Sequence, residues 1–200
     1  MVTNNHAALL FNLESAKIKK QISTELIQSI NALVMRNTGN VYHTMLGNID
    51  AKTGAFRKGN VTAGISYFPN FDKVERLTND LVNQLTVGMK SLLTIPEQLN
   101  LSFDAHFNLV SIHPFYDGNG RTSRLLMNYI QAFFGLPLAI VSSENKADYI
   151  EALVNTRQKE NVQIFRDFML NEYAGLLTKE IQLFEEMKKP SKGKGFTLLF

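Results

Sequence analysis

The sequence predicts an all-α fold with one small β element. Apolar residues recur at helical spacing along most of the chain, and one short segment, residues 54–69, interrupts that pattern with glycines and β-branched residues. The chain has 200 residues, of which 44% are hydrophobic. A folded chain of this size buries about 70% of the surface that its unfolded form exposes, so a real core is expected and disorder is excluded.

Six segments carry the helical pattern. In the first, Ser23 is a predicted N-cap, and an apolar stripe runs from Leu26 to Val34. The third begins near Pro96, a residue suited to the first position of a helix. The other helices are predicted at residues 72–92, 121–134, 146–157 and 162–186. Residues 54–69 predict a short hairpin or flap.

The net charge indicates no nucleic-acid partner. The formal charge is +3, but four lysines lie in a segment, residues 188–200, that has no acidic residue. Without those lysines the formal charge is −1, whereas a nucleic-acid-binding face needs a concentrated basic surface. We therefore divide the chain into a single domain, residues 1–187, and a Lys/Gly-rich C-terminal tail, residues 188–200.

Composition also excludes several other classes. The chain has no cysteine, which excludes disulfides, a thiol nucleophile and a zinc–thiolate site. Its first residues have no basic region followed by an apolar run, so no signal peptide is predicted. The most apolar stretch, residues 125–141, is too short and too interrupted to span a bilayer. We expect a soluble, cytoplasmic protein without a membrane partner.

One segment, residues 113–124, carries the candidate chemistry. It reads His-Pro-Phe-Tyr-Asp-Gly-Asn-Gly-Arg-Thr-Ser-Arg. Pro114 disfavours helical conformation at His113, which places His113 at the end of the preceding helix. Gly118 and Gly120 free the backbone to curl, so that successive N–H groups can form an anion-binding nest. The helix that follows adds its own unpaired N–H groups.

The charged residues of this segment favour a polyphosphate ligand. Arg121 and Arg124 lie in the first helical turn, where cations are unfavourable by about 0.3–1 kcal/mol each unless an anion is bound. Asp117 offers a hard oxygen ligand of the kind that Mg²⁺ needs. A histidine side chain ordinarily has a pKa near working pH, so His113 is the natural candidate for a general base. The alternative without a function is that residues 113–124 form a glycine-rich turn between two helices, with solvent-exposed arginines and a histidine packed against the bundle.

Residues 113–124 fit the Fic-family signature, His-x-Phe-x-(Asp/Glu)-Gly-Asn-Gly-Arg-x-x-Arg, at every defined position. The resemblance extends over about residues 6–170 and implies a Fic-type helical bundle with a small β-hairpin flap. It also implies a protein adenylyltransferase that moves AMP from ATP to a Ser, Thr or Tyr hydroxyl of a target protein and releases pyrophosphate. ATP and Mg²⁺ would be its cofactors.

The resemblance assigns a role to each motif residue. His113 would deprotonate the hydroxyl, and Asp117 would hold Mg²⁺. The backbone of Gly118, Asn119 and Gly120 would cradle the phosphates, and Arg121 and Arg124 would neutralise their charge. Phe115 would be an apolar anchor of the loop.

The resemblance also implies contacts outside the motif. The flap, residues 61–68, would align a target segment by strand-like pairing. Its residues Ala63 and Gly64 would lie near the nucleotide, and Tyr149 would lie near the adenosine. The plain alternative for Tyr149 is an aromatic side chain on a core helix.

Regulation in this family often uses a helix whose Glu pairs with the second motif arginine, here Arg124. The segment from Thr156 to Asn161 satisfies the inhibitory pattern with Glu160, but it falls where the family has an ordinary turn. We predict that the chain has no inhibitory Glu of its own. A separate antitoxin-like chain would supply it, or an N-terminal segment has been removed, or the enzyme is unrestrained.

Two other functions remain open at this stage. A phosphotransferase of the death-on-curing type shares the fold but departs from the Gly-Asn-Gly pattern that is intact here. A binding module that holds a nucleotide or a protein without chemistry would not need His113.

The remaining candidate residues are given structural roles. His106, seven residues before His113, is predicted to be a core histidine rather than a metal ligand. Lys17, Lys19 and Lys20 are predicted to form a solvated helix face.

Overall fold

Helices dominate the fold, as the sequence predicts. The computed structural model describes residues 2–64 and 66–188, and seven α-helices occur in that part of the chain. Their bounds are α1 Val2–Lys17, α2 Thr24–Met35, α3 Val74–Lys90, α4 Ile95–Ile112, α5 Asn119–Phe134, α6 Lys146–Gln158 and α7 Gln163–Lys188. The predicted tail, apart from Lys188 at the end of α7, lies outside the described residues.

Two antiparallel hairpins separate α2 from α3. The first pairs β1 (Val41–Thr44) with β2 (Gly47–Asp50). The second pairs β3 (Thr62–Ala63) with β4 (Ser66–Tyr67), and Gly64 in its turn has a φ of +57°. The second hairpin lies within residues 54–69 and confirms the predicted flap. Its two strands have two residues each, so they occupy only a small part of that segment. The first hairpin was not predicted.

All six predicted helices are present, with ends that differ by a few residues. The largest consequence is at α5, which begins at Asn119 rather than at Arg121. Gly118 has a left-handed conformation (φ 80°), and its carbonyl accepts the first helical bond from the Thr122 N–H at 2.8 Å. Gly120 therefore lies inside the helix, which corrects the prediction that both glycines curl the loop.

Helix α1 has no predicted counterpart because polar and small residues form much of its packing face. Asn12 Nδ2 donates to the Leu125 carbonyl at 2.7 Å, and Asn4 Nδ2 donates to the Val34 carbonyl at 3.2 Å. Such a face does not give an apolar stripe. Of the lysines predicted to share a helix face, Lys19 and Lys20 lie beyond the end of α1, and Lys19 donates to the Phe133 carbonyl instead.

Helix α5 lies at the centre of the fold. Its Leu126 and Ile130 belong to a buried cluster with side chains of α1, α2 and α3, whereas Met127 belongs to a second cluster with α4, α6 and α7. Burying a large apolar side chain stabilises a fold by about 1.5–3 kcal/mol. The start of α5 is therefore held on a rigid core.

Within the described residues, no helix has the length and apolar character needed to cross a membrane.

Candidate active site

The loop between α4 and α5 is closed by the side chain of Asn119. Its Oδ1 accepts from the Phe115 N–H at 2.9 Å, and its Nδ2 donates to the Phe115 carbonyl at 2.8 Å. Phe115 itself is 1% exposed and packs near the Phe56 ring, so it anchors the loop as predicted. The Asn119 side chain is thus engaged within the loop, and its backbone N–H lies at the start of α5.

A second set of contacts holds the loop against α2. Asn31 Nδ2 lies 3.1 Å from the Asp117 carbonyl and 3.0 Å from Thr122 Oγ1, and donates to both. A Cβ on Gly118 would come within 2.8 Å of this same Nδ2, so the close approach requires glycine. The first N–H groups of α5 then have no intrahelical partners and point out of the helix end. The result is an anion-binding helix N-terminus beside the loop.

A cavity of about 240 Å³, here called the cradle, lies at this helix end. The cradle is lined by His113, Tyr116, Asp117, Gly118, Asn119, Gly120, Arg121 and Arg124. Arg121 Nη2 lies 3.6 Å from Asp117 Oδ1, and Arg121 Nη1 is buried without a hydrogen-bond partner among the described residues. The structure thus brings all seven motif residues that were predicted to bind or react into one cavity.

A larger cavity of about 470 Å³, here called the main cavity, adjoins the cradle. Both cavities share His113, Gly120 and Arg124 in their linings. The other lining residues of the main cavity are Ala63, Ser66, Phe68, Val110, Val141, Ser142, Ser143, Lys146, Tyr149, Ile150, Leu153, Val154 and Arg157. This lining contains three cationic side chains and no carboxylate among the described residues, so it suits an anionic ligand with an apolar part.

His113 lies at the junction of the two cavities with one ring nitrogen free. Its Nδ1 lies 3.2 Å from the Val110 carbonyl, which can only accept, so Nδ1 carries the proton and Nε2 keeps its lone pair. Burial, with help from the positive charges of Arg57 and Arg157, lowers the pKa of His113 to about 4. The imidazole is therefore neutral at pH 7 and able to accept a proton.

Tyr149 lines the main cavity and also belongs to the core. It is 5% exposed, and its hydroxyl lies 2.8 Å from His106 Nε2. The Arg124 guanidinium lies 5.9 Å from the centre of the Tyr149 ring, on the cavity side. His106 is fully buried, and its burial lowers its pKa to about 3, which agrees with the predicted core histidine. Within the described residues, no group of three metal-ligating side chains surrounds it.

Some residues of the flap line the main cavity and others do not. Ala63 lies in the lining of the main cavity, as predicted, together with Ser66 and Phe68. Gly64 lies in the exposed turn of the hairpin and is not among the lining residues, so the structure does not bring it to the site. The Phe68 ring stacks on the His113 imidazole with centres 3.8 Å apart.

Sequence reasoning missed three residues that shape this site. Asn31 holds the loop, Arg157 brings a cation to the main cavity, and Arg57 is a buried guanidinium beside His113. Arg57 and Asn31 are 56 and 86 positions away from the loop residues that they bond. Arg57 is the single arginine of the glycine-rich segment 54–69, and that was the sequence signal that could have found it.

A family model described as the Fic/DOC family matches residues 21–131, which is more than half of the chain. The chain belongs to the Fic/DOC family. The matched region contains α2, both hairpins, α3, α4, the loop and most of α5. The resemblance found in residues 113–124 is therefore confirmed by a match that extends well beyond them.

Individual Fic relatives agree with this assignment. The protein adenylyltransferase Fic of Drosophila melanogaster is 33% identical over 135 residues, which cover 67% of this chain and 27% of that protein. The chain thus spans about a quarter of the length of the curated relatives that it matches. Fic-1 of Caenorhabditis elegans has a TM-score of 0.75 at 25% identity and covers 94% of this chain and 52% of that chain.

A third relative was solved with a nucleotide analogue. BepC of Bartonella tribocorum, with bound AMPPNP, has a TM-score of 0.56 at 14% identity, and the match covers 82% of this chain and 84% of that chain. At this identity, the likeness shows the fold alone.

Proposed function

We propose that the protein is a Mg-ATP-dependent protein adenylyltransferase, which transfers AMP from ATP to a Ser, Thr or Tyr hydroxyl of a target protein. The observation that carries the proposal is the junction at which the cradle and the main cavity share His113, Gly120 and Arg124. A triphosphate in the cradle and a nucleoside in the main cavity would meet there, which puts the α-phosphorus next to the imidazole. The name of the Drosophila relative supports the same reaction.

The chemistry follows from this placement. His113 Nε2 takes the proton of the acceptor hydroxyl, whose oxygen attacks the α-phosphorus. The bond between the α-phosphorus and the oxygen bridging to the β-phosphate breaks, and pyrophosphate leaves. Arg121, Arg124 and the first N–H groups of α5 stabilise the charge on the phosphates, which is the main contribution that a protein makes to phosphoryl-type transfer.

Asp117 can serve as the one carboxylate ligand that a phosphate-bound Mg²⁺ needs from the protein. Its side chain is 53% exposed at the cradle, and its Oδ1 accepts from the Gly118 N–H at 2.5 Å. Mg²⁺ on nucleotides is usually held by one or two carboxylates, phosphate oxygens and water, rather than by an all-protein cage. Asp117 would hold the ion, which would neutralise phosphate charge when bound.

The flap would present the target. Thr62, Ala63 and Tyr67 of the hairpin are exposed, and a two-stranded hairpin has free backbone groups along its outer edges. A target segment would pair along residues 61–68 by strand addition, which depends little on the amino-acid sequence of the target.

No nucleic acid is part of the proposal, and a cytoplasmic location stays a prediction.

A regulatory partner would act on Arg124. Within the described residues, no carboxylate lies within 4.0 Å of its guanidinium, and Glu160 is exposed in the turn after α6. A third cavity of about 240 Å³ opens onto Arg121 and Arg124 from the side of α1, with Asn5 and Leu9 in its lining. An antitoxin-like or inhibitory chain that occupies this cavity would supply a Glu to Arg124.

One assay tests the proposed reaction. The protein is incubated with lysate proteins and ATP labelled at either the α- or the γ-phosphate, alongside His113→Ala and the control His43→Ala, which changes an exposed histidine of β1. We expect protein-bound label from the α-position, lost in His113→Ala and kept in His43→Ala. Label from the γ-position alone would instead support phosphotransfer, and nucleotide binding without transfer, with a suitable target in the lysate, would support a binding module.

A further inference from the structure

Arg57 holds both ends of the flap with one buried guanidinium. The residue is 2% exposed. Its Nη1 donates to the Gly59 carbonyl at 2.8 Å, and its Nη2 donates to the Pro69 carbonyl at 2.5 Å. These two carbonyls lie where the flap begins and where it ends. Because the guanidinium is planar and rigid, it fixes the separation of the two flap ends.

The same group is bonded to the catalytic loop. Arg57 Nε donates to the His113 carbonyl at 2.8 Å, and the Arg57 backbone N–H donates to the Pro114 carbonyl at 2.9 Å. His113 has a left-handed conformation with φ of 53°, which is unfavourable for a residue other than glycine. The Arg57 bond orients the peptide group that follows His113 in this conformation.

Packing brings the flap and the loop together at two further points. The Phe68 ring stacks on the His113 imidazole, with an angle of 18° between the planes. At the other end of the flap, a Cβ on Gly59 would come within 2.9 Å of the Tyr116 hydroxyl. Both contacts depend on where the flap ends are held, and the guanidinium of Arg57 holds both ends.

The charge of Arg57 has no acidic partner. Within the described residues, no carboxylate lies within 4.0 Å of it, and its polar contacts are carbonyl oxygens. Burying a cation in this way is costly, and an apolar side chain of similar size would often be at least as stabilising. Its guanidinium donates to carbonyl groups of three separate chain segments, which indicates that Arg57 positions those segments.

We propose that Arg57 is a positioning residue that couples the flap to His113, so that a hydroxyl presented along the flap meets the imidazole. This inference rests on the proposed function, since it assigns to Arg57 the alignment step of the same transfer. Arg57 is a positioning residue rather than a catalytic one because, among the described residues, it lines neither the cradle nor the main cavity.

Two substitutions and a chemical rescue test the proposal. Arg57→Ala removes the fork, and Arg57→Lys keeps the charge but donates from a single atom that cannot reach three carbonyls at once. A misplacement of about 1 Å costs about 100-fold in rate, so we expect both variants to transfer α-label at about one hundredth of the wild-type initial rate. Millimolar guanidinium should restore part of the rate of Arg57→Ala and none in Arg57→Lys, whose ammonium occupies the space.

The control is Arg76→Ala. The Arg76 side chain is 65% exposed on α3 and pairs with Asp80, so its loss should leave the rate at the wild-type level. Circular dichroism melting gives the folded fraction of each variant, and rates are compared per folded molecule. If Arg57→Ala does not fold, Arg57→Lys carries the test, because it keeps both the charge and the apolar stem.

The outcomes separate this inference from the proposed function. Wild-type transfer that His113→Ala abolishes establishes the function by itself. Against that background, rates of the Arg57 variants within about threefold of wild type would overturn the coupling role, as would a lost rate in Arg57→Ala that guanidinium does not raise. A role in stability alone would lower the melting temperature and leave the rate per folded molecule unchanged.

Discussion

The two glycines of the cradle should respond in opposite ways to the addition of one methyl group. In Gly118→Ala, the left-handed conformation (φ 80°) costs about 1–2 kcal/mol. The new Cβ would also lie 2.8 Å from Asn31 Nδ2 and 2.9 Å from Met35 Sδ, and overpacking of this kind costs about 1–3 kcal/mol. We therefore expect Gly118→Ala to lower the free energy of unfolding by about 2–5 kcal/mol.

Gly120→Ala is the matched comparison. Gly120 lies inside α5, and the nearest atom to an added Cβ is an Arg124 guanidinium nitrogen at 3.7 Å. Alanine is better than glycine in a helix by about 1 kcal/mol, so stability should be unchanged or slightly raised. The methyl group would nevertheless enter the cradle, and we expect ATP to bind more weakly.

Urea-induced unfolding followed by circular dichroism measures the first effect, and calorimetric titration with ATP measures the second. A loss below about 1 kcal/mol in Gly118→Ala, or equal losses in the two variants, would refute the assignment of different conformations to the two glycines.

Three further predictions concern charged groups of the site. Arg124→Ala should weaken ATP binding while leaving melting close to wild type, and an unchanged calorimetric affinity would contradict its contact with phosphate. The lowered pKa of His113 keeps its base form in mild acid, so kcat/KM should hold below pH 6 and fall only towards about pH 4; an acid limb near the ordinary histidine value would contradict this. His106 has a folded-state pKa of about 3, below its unfolded value, so its contribution to stability is present above about pH 6.5 and lost as pH falls towards 3. In His106→Phe, urea unfolding should therefore vary less with pH across that window, and an identical pH dependence would argue against a neutral buried His106.

Local sequence signals predicted most of the helices and the loop between α4 and α5 because their causes are local. Pro96 in the first turn of α4 and the proline after His113 act within a few residues. The same is true of the apolar stripe of α2. The core position of His106 came out as predicted, and the buried position of Phe115 agrees with the anchor role that the family resemblance implies.

Other parts of the site depend on contacts that no local pattern reveals. Asn119 belongs to the motif, and its side chain closes the loop, which only the hydrogen bonds to Phe115 show. The roles of Asn31 and Arg57 arise because the fold brings distant segments to the loop. Gly64 was expected at the site because the flap was expected there, but Ala63 lies in the lining of the main cavity and Gly64, in the turn of the hairpin, does not.

The arrangement of a triphosphate across the two cavities can be seen directly in a crystal structure of the protein soaked with a non-hydrolysable ATP analogue and Mg²⁺. We expect the β- and γ-phosphates in the cradle beside Arg121, the nucleoside in the main cavity, and the α-phosphorus as the phosphorus atom nearest to His113 Nε2. A γ-phosphorus nearest to that nitrogen, or an analogue bound outside the cradle, would contradict this expectation.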